Sequence, residues 1–261
     1  MRRLVTLLHD ALRAAPDFRG RKRALKVLLR FMDEATSFFG PKLTVRARDH
    51  TFIASYFARY GSELTDLIDD MPPDGVFLEF GANTGVYSLV AARHLSQGRC
   101  VAVEPNPFVF QDLLNNIRIN DARNVLALNF SIAEASGLAP FEYSPDHTGK
   151  GHLGDADASA RRSQIVLIRH DEFARLLPGL EDRFCLCKID TEGAELSILK
   201  AMEAAGLIGG IDVFYIEIDQ RYLARQGGSG DEIYEILARH GLSPTTDRRG
   251  RQHYDEIFRR T

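Results

Sequence analysis

Two glutamates and two glycines lie at the ends of neighbouring apolar runs in this chain. The first run begins at Val76 and reaches Glu79, and Gly81 and Gly85 bracket the turn that follows it. Glycines in such a turn let the backbone come close to a ligand, because no Cβ is in the way. The next apolar run ends at Glu104, 19 residues after Gly85. That is the distance at which α/β folds place a carboxylate on the hydroxyls of a ribose, so the pattern predicts a site for a nucleoside-containing cofactor.

The residue at position 83 indicates which cofactor fits. A G-x-G-x-x-G fingerprint has glycine at its second position so that a diphosphate can approach the main chain. Asn83 occupies that position here, and a dinucleotide would meet its side chain. S-adenosylmethionine has a ribose and an adenine but no phosphate, and the segment offers a tight turn, a ribose acid and polar groups for its amino-acid end. The other interpretation is that Gly81 and Gly85 are ordinary loop glycines and that Glu104 only ends a strand.

Three separate motifs resemble a known family. They read FGANTGVYSL at 80–89, AVEPNPFVFQDLLNNIRIN at 102–120 and KIDTEGAELSILKAM at 188–202. In this order they resemble the FkbM family of S-adenosylmethionine-dependent methyltransferases. Glu79 stands where the family more often has aspartate, and Thr191 stands where valine is common. The resemblance implies O-methylation of a hydroxyl on a sugar, a glycan or a secondary metabolite.

Each part of the cofactor has expected partners in these motifs. Glu104 is expected to accept the ribose hydroxyls, and Glu79 to face the methionyl ammonium directly or through water. The turn amides and the hydroxyls of Thr84 and Ser88 lie at a helix N-terminus, which suits a carboxylate. Asn106 is expected beside the adenine, and so are Ser131 and Ile132 after the third strand. In that region this sequence lacks the acidic residue that is common in other methyltransferases. The predicted cofactor-binding residues are Glu79, Gly81, Ala82, Asn83, Thr84, Gly85, Ser88, Glu104, Asn106, Ser131 and Ile132.

Methylation of an alcohol also needs a group that takes the hydroxyl proton, and a positioned carboxylate or imidazole accelerates such a step by roughly a hundredfold or more. Asp190 is the first candidate, because strand-end acids border the crevice of an open α/β sheet. Alternatively, Asp190 caps the following helix, and Glu192 and Glu195 stabilise its dipole. His170 and His152 are either bases or surface residues. The predicted catalytic residues are Asp190, Glu192 and His170.

The order of elements determines where these side chains meet. The patterns predict helices at 50–60 and 62–70, strand 76–80, helix 85–96, strand 100–104, helix 107–119 and strand 124–130. Then follow strand 163–168, helix 171–177, strand 184–190, helix 192–204, strand 213–218, helix 230–240 and a hairpin at 242–258. This alternation predicts an α/β fold with a doubly wound, mostly parallel Rossmann-like sheet. The predicted division is an N-terminal helical extension or lid, residues 1–72, and an S-adenosylmethionine-binding domain, residues 73–261.

Residues 134–163 interrupt the alternation, being rich in Gly, Ser, Asp and Pro. Long irregular loops inside compact α/β domains are usually functional or disordered. We therefore predict a substrate loop here, with Gly149, Gly151, His152 and Gly154 beside a small-molecule or glycan acceptor.

A chain of 261 residues with 44% hydrophobic content is long enough to bury a full core. Cys100, Cys185 and Cys187 lie in apolar runs and not at ligand spacing, so buried thiols in a reducing compartment and no bound metal are expected. The sequence has no run of 18 apolar residues, and its start has no small-residue cleavage site after an apolar core. A cytoplasmic protein is the expectation.

The start of the chain is strongly basic. Residues 1–30 hold nine Lys or Arg and two Asp, a balance of +7, although the whole chain carries −3. Leu4, Leu8 and Leu12 share one helical face before Pro16. One interpretation is a basic surface helix that meets anionic lipid or a partner protein weakly, and the other is a pair of cap helices packed on the domain. No nucleic acid is expected, since aromatic residues do not interleave with the basic ones there, and the pattern gives no oligomeric state.

Two other classes stay open from the sequence. A nicotinamide-dependent oxidoreductase has the same fold class, although Asn83 disfavours its cofactor. A non-catalytic nucleoside-binding protein would keep the crevice without turnover, although Glu79, Glu104 and Asp190 are all intact.

Overall fold

The structure of this chain is a computed structural model that describes residues 2–133, 135–153, 161–176 and 183–261, with the backbone alone at 150–153 and 161. The helices are α1 (Arg2–Ala14), α2 (Arg21–Leu29), α3 (His50–Tyr56), α4 (Ser62–Asp69), α5 (Val86–His94), α6 (Pro107–Ile119), α7 (His170–Leu176), α8 (Glu195–Ala204), α9 (Gln220–Arg225) and α10 (Gly230–Arg239). The strands are β1 (Glu34–Thr36), β2 (Lys42–Thr44), β3 (Val76–Phe80), β4 (Arg99–Val103), β5 (Val125–Leu128), β6 (Ser131–Ala133), β7 (Gly137–Ser144), β8 (His147–Leu153), β9 (Arg161–Arg169), β10 (Cys185–Ile189), β11 (Val213–Asp219), β12 (Leu242–Pro244) and β13 (His253–Arg260).

A seven-stranded sheet with the order β12-β13-β11-β10-β3-β4-β5 forms the centre of the molecule. Strands β11, β10, β3, β4 and β5 are parallel to one another, and β13 is antiparallel to both of its neighbours. The chain runs outward from β3 to β4 and β5, and later crosses to β10 and β11 on the other side of β3. Open α/β sheets bind ligands at the carboxyl ends beside such a reversal. The predicted doubly wound, mostly parallel sheet is confirmed.

Strands β3 and β10 are buried along their whole length. Helices cover both faces of a parallel sheet, so its central strands are almost continuously apolar. Glu79 and Lys188 are exceptions within these two strands, and they are paired in register. Because a buried charge needs a partner, the two side chains must satisfy each other or groups close by.

Most predicted elements are present within a few residues of their predicted bounds. Helix α8 is an exception, since it begins at Glu195 and not at 192. Glu192 and Gly193 have positive φ angles of +56° and +121°, which no helix accepts. The pattern also missed α9 and the β1–β2 hairpin, which are six residues and three residues per strand long and therefore too short to show a period.

The described part of 134–163, residues 135–153 and 161–163, does not form the irregular loop that its composition predicts. Strands β7, β8 and β9 join β6 in a second sheet with the order β6-β9-β7-β8. Phe141, Tyr143 and Ile165 form an apolar cluster across it, and cross-strand pairs of this kind stabilise a sheet whatever turn formers flank them. Gly154 lies outside the described residues, and Gly151 and His152 belong to the backbone of β8.

The N-terminal elements share one apolar cluster with α5. It includes Leu25, Leu29, Leu43, Phe52, Tyr56, Val86 and Leu89. The first 57 residues therefore pack on the helices of the central sheet, and the division at residue 72 stays a prediction. The three cysteines are buried and unbridged, as expected. None of the helices in the described ranges is long and apolar enough to cross a membrane.

Candidate active site

The turn after β3 is shaped by its glycines. Gly81 has a φ of +77°, and a Cβ there would collide with the carbonyl oxygen of Asp190 at the end of β10. Gly85 has a φ of +82°, and a Cβ there would collide with Leu113. Asn83 lies between them at +50°, a conformation that asparagine tolerates better than most residues. Glycine at 81 therefore lets the ends of β3 and β10 meet, and the floor of the crevice forms where they do.

Glu104 follows β4 and fixes the other side of this turn. Its Oε2 accepts a hydrogen bond from the Asn83 amide at 2.8 Å, and its Oε1 accepts one from the Asn106 amide at 2.8 Å. The side chain is buried, and burial raises its pKa to about 7 although both amides oppose that shift. Each oxygen can accept one further hydrogen bond, so the carboxylate can still bind a pair of hydroxyls.

Lys188 is buried between two carboxylates at the junction of β3 and β10. Its Nζ lies 3.4 Å from Glu79 Oε1 and 3.2 Å from Asp190 Oδ2. Burial disfavours its charge, but Asp190 and Glu79 outweigh this and raise its pKa above the ordinary value. Glu79 Oε2 accepts from the Ser88 hydroxyl at 2.5 Å and the Ser88 amide at 3.1 Å. Lys188 is therefore a buried ion-pair partner and not a surface residue.

A second group of acids lies at the ends of β11 and β13. Glu217 and Asp255 are paired in register across these strands. Burial and the neighbouring Asp190 raise the pKa of Glu217 far above its ordinary value, and His253 Nε2 lies 2.8 Å from its Oε1. Burial also raises the pKa of Asp255, whose Oδ2 accepts from the Tyr215 hydroxyl at 2.7 Å. Carboxyls crowded in this way cannot all ionise, so Glu217 is expected to hold a proton.

These groups line one cavity of about 440 Å³. Its volume is within the range of about 300–1,000 Å³ that small-molecule sites occupy. Residues of α3, α4 and the loop between them form one wall. The predicted site residues that line it are Glu79, Gly81, Ala82, Asn83, Thr84, Glu104, Asp190 and Glu192.

The β7–β8 hairpin covers this cavity and is fastened to α3. Asp49 caps α3 by accepting from the Thr51 amide at 2.9 Å. The same carboxylate accepts from the Thr148 hydroxyl at 2.7 Å, and the Gly149 amide donates to Thr51 Oγ1 at 2.9 Å. Thr148 in turn accepts from the Asn83 side chain at 3.4 Å. The hairpin therefore contacts both the lid helix and the glycine turn.

Ser131 and Ile132 line a smaller apolar cavity of about 40 Å³. Gly81, Pro105 and Phe141 border both cavities, so the two are neighbours. The adenine contact expected for Ser131 and Ile132 stays a prediction.

Four predicted residues line neither cavity. Gly85 packs on Leu113 beneath the turn, and the Ser88 hydroxyl binds Glu79 instead of facing the crevice. Asn106 caps α6, since its Oδ1 accepts from the Phe108 amide at 3.1 Å. His170 begins α7. For these residues the geometry supports structural roles.

Asp190 is not a helix cap, because Ala194 is the N-cap of α8. Glu195 has the structural role instead. Its Oε1 accepts from the Thr191 amide at 2.8 Å, the Thr191 hydroxyl at 2.9 Å and the Gly193 amide at 3.0 Å. That leaves Asp190 at the cavity wall with a side chain that is 37% exposed. Across the described residues, no group of three or more His, Cys, Asp or Glu is arranged to hold a metal.

Sequence reasoning missed several residues of this site. They are Asp49, Thr148, Tyr215, His253 and Asp255. Asp49 had one signal, since Asp followed by a helical pattern marks an N-cap. Thr148, His253 and Asp255 are brought to the cavity by antiparallel pairing and Tyr215 by the parallel pairing of β11 with β10, and a single sequence gives neither register.

Comparison with known proteins identifies the family. Residues 79–243 match the model of the methyltransferase FkbM domain. The chain is 29% identical over 213 residues to methyltransferase sdnD of Sordaria araneosa, covering 69% of this chain and 78% of that protein. It is 28% identical over 139 residues to the hexuronic acid methyltransferase AglP of Haloferax volcanii, covering 53% and 54%.

A solved structure of M. jannaschii TYW2 in complex with AdoMet is 10% identical, covers 88% of each chain and gives a TM-score of 0.41. At this TM-score the similarity to that structure carries no argument about this chain. The family match spans β3 to β12 and thus includes the glycine turn, Glu104 and Asp190. The chain belongs to the FkbM methyltransferase family, and its cofactor is S-adenosylmethionine.

Proposed function

We propose that this protein O-methylates a hydroxyl of an uncharged, polyhydroxylated acceptor, a sugar unit or a sugar-like secondary metabolite, with Asp190 as the base. The observation that carries the proposal is the set of carboxyl groups at the ends of β10, β11 and β13. These lie on the other side of β3 from Glu104, so the cofactor turn and the acid-rich end share one cavity.

The residues around the turn fit S-adenosylmethionine. Gly81 has no Cβ in the narrowest part of the crevice, and both oxygens of Glu104 retain the capacity to accept ribose hydroxyls. Glu79 lines the cavity, and its Oε1 has only the 3.4 Å ion pair with Lys188, which suits an ammonium group held directly or through water. The cofactor supplies a methyl group on a sulfonium, and positioning of the acceptor in line with it provides much of the rate acceleration.

Asp190 has the geometry of a general base. It reaches the cavity, and its Oδ2 forms an ion pair with Lys188 Nζ at 3.2 Å. The acceptor hydroxyl would give its proton to Asp190 as the new bond to carbon forms. Glu217 beside it retains a proton because its pKa is raised, so the pair offers one acceptor and one donor to neighbouring hydroxyls.

The charge of the cavity supports an uncharged acceptor. Its described lining contains the acids Glu79, Glu104, Asp190, Glu192, Glu217 and Asp255, the single lysine Lys188 and the histidines His147 and His253. That lysine is already paired with two carboxylates. A carboxylate-bearing acceptor would therefore be repelled, although the relative from Haloferax volcanii is named a hexuronic acid methyltransferase.

Methyl transfer to a panel of neutral sugars and the matching uronic acids, followed by mass spectrometry, tests the proposal. With an accepted neutral sugar, Asp190→Asn should lower kcat by about 10²- to 10⁴-fold, while S-adenosylmethionine affinity stays within about twofold. Asp247→Asn, an exposed ion-pair partner of Arg249, is the matched control.

Three results would contradict the proposal. An unchanged kcat in Asp190→Asn would show that Asp190 is not the base. Faster turnover of uronic acids than of neutral sugars would refute the neutral acceptor. Methylation at a nitrogen atom would refute O-methylation. The non-catalytic alternative predicts cofactor binding without transfer to any acceptor. Calorimetry with S-adenosylmethionine, S-adenosylhomocysteine and NAD tests that binding directly.

A further inference from the structure

Helix α1 is fixed to the protein by one face. His9 is fully buried, and its Nε2 lies 2.6 Å from the Tyr56 hydroxyl. Leu12, three residues further along the helix, packs against the same apolar cluster. The face that carries these two residues is therefore the inner face of the helix.

Next to Leu12, an apolar stripe of α1 points to solvent. Leu4 is 61% exposed, Leu7 67% and Leu8 49%, and Ala11 is also exposed. The spacing of 4, 7, 8 and 11 places these residues on one helical stripe. A surface helix normally turns such a stripe toward the core, so this helix presents to solvent the face that is usually buried.

Helix α2 places positive charge beside that stripe. Leu25 and Leu29 are buried in the cluster that contains Tyr56, and α1 packs against α2. The exposed side chains of α2 are Lys22, Arg23, Lys26 and Val27, and Arg30 follows them. Because both helices attach to one cluster and to each other, their outward faces lie side by side.

We propose that the outward face of α1 and α2 binds the surface of an anionic lipid bilayer. The leucine stripe would enter the region between headgroups and acyl chains, as interfacial amphipathic helices do. The basic residues of α2 would contact the lipid phosphates. Residues 1–30 carry +7, and each Lys or Arg near an anionic surface adds to the attraction.

The same charge argues against a second copy of this chain as the occupant. A two-fold dimer through this face would bring two segments of +7 together, and like charges at an interface are costly. The proposal is independent of the methyl acceptor, since it concerns residues outside the cavity.

Flotation of the full chain with lipid vesicles tests the proposal. Binding is expected to vesicles of phosphatidylcholine with phosphatidylglycerol and to fall as salt is added, with little binding to phosphatidylcholine alone. Leu7→Gln should weaken binding on the order of tenfold. Leu114→Gln, which changes a leucine of α6 that is 47% exposed, should have no effect.

A second pair of variants tests the charge. Lys26→Gln with Arg30→Gln should weaken binding on the order of tenfold. Arg118→Gln with Arg123→Gln removes two exposed charges, one in the last turn of α6 and one in the segment after it. This double variant should leave vesicle binding unchanged. All four sites are exposed, so thermal unfolding and S-adenosylmethionine affinity should match the wild type.

Three outcomes would overturn the proposal. One is the absence of binding to the anionic vesicles, and another is equal binding to neutral and anionic vesicles. The third is self-association of the wild type in sedimentation that Leu7→Gln abolishes, which would assign the face to a second copy. Each is separable from a failure of the proposed methylation, which is measured without lipid.

Discussion

Glu104 titrates near neutrality, and this gives the cofactor site a pH dependence. Burial raises its pKa to about 7, and the ribose hydroxyls would donate to its ionised form. Affinity for S-adenosylmethionine should therefore rise by up to about tenfold between pH 6 and pH 8. Calorimetric titration across that range measures the change.

The Glu104→Gln variant shows whether this carboxyl is responsible. It should bind S-adenosylmethionine more weakly by roughly 1–3 kcal/mol at pH 8, and its affinity should no longer vary between pH 6 and pH 8. Glu203→Gln, which alters an ion pair with Arg239 outside the cavity, should behave as the wild type does. If the Glu104→Gln profile keeps its slope, another group binds the ribose.

The sequence could assign a residue to the site when that residue lay at the end of a predicted parallel strand. Glu79, Glu104 and Asp190 were predicted at one edge, and all three line the cavity. The burial of Lys188 between two acids depends on the register of β3 and β10, which the sequence alone does not give. Asp255 arrives through the antiparallel register of β13, and nothing local in the sequence specifies that register.

At the scale of elements, the cap of α3 is one of the contacts that hold the β7–β8 hairpin. Asp49 holds the first turn of α3 and Thr148 of the hairpin with the same carboxylate. Thr148→Val should release the hairpin while leaving the cap intact. Removing one partner of this charge-assisted bond costs roughly 1–3 kcal/mol locally, so the Thr148 and Gly149 amides should exchange hydrogen about tenfold or more faster.

Steady-state kinetics of methyl transfer by Thr148→Val give a second measure of the release of the hairpin. The hairpin borders the cavity, so its release should raise the acceptor KM more than it lowers kcat. Thr65→Val removes an exposed hydroxyl bond within α4 and should alter neither exchange nor KM. Unchanged protection of the hairpin amides in Thr148→Val would mean that the fastening lies elsewhere, for example at Gly149 and Thr51.

The elements that could be predicted are those with a long, single period. Helix α6 was predicted with its observed bounds, since Asn106 and Pro107 mark its start and Asn120 follows its end. The prediction of an irregular loop at 134–163 was wrong for its described residues, 135–153 and 161–163, because turn-forming residues within strands imitate a loop. Its strands are stabilised by pairing with β6 and with each other, and such non-local pairing leaves no periodic signal in one segment.

Across the whole molecule, the parallel sheet gathers acids at one buried edge. Burial raises the pKa of Glu79, Glu104, Glu217 and Asp255 together. Such a cluster of buried acids would destabilise an ordinary core. Acids with perturbed pKa values that line a cavity are typical of binding and catalytic sites. Its consequence is a folded state that binds more protons than the unfolded chain does near neutral pH.

The free energy of unfolding should therefore decrease as pH rises. For Glu104 the unfolded pKa is near 4.5 and the folded pKa about 7. Its stabilising contribution is complete below the unfolded value and is lost as pH rises through the folded value, by at most about 3 kcal/mol. Acids with lowered pKa, such as Asp171 and Asp219, act in the opposite direction but at lower pH.

Urea unfolding of wild type and Glu104→Gln at pH 5 and pH 8 measures the difference. The wild type should lose more stability than the variant over this interval. Equal losses would mean that Glu104 is already ionised at pH 5, and the binding profile would then have to be flat as well.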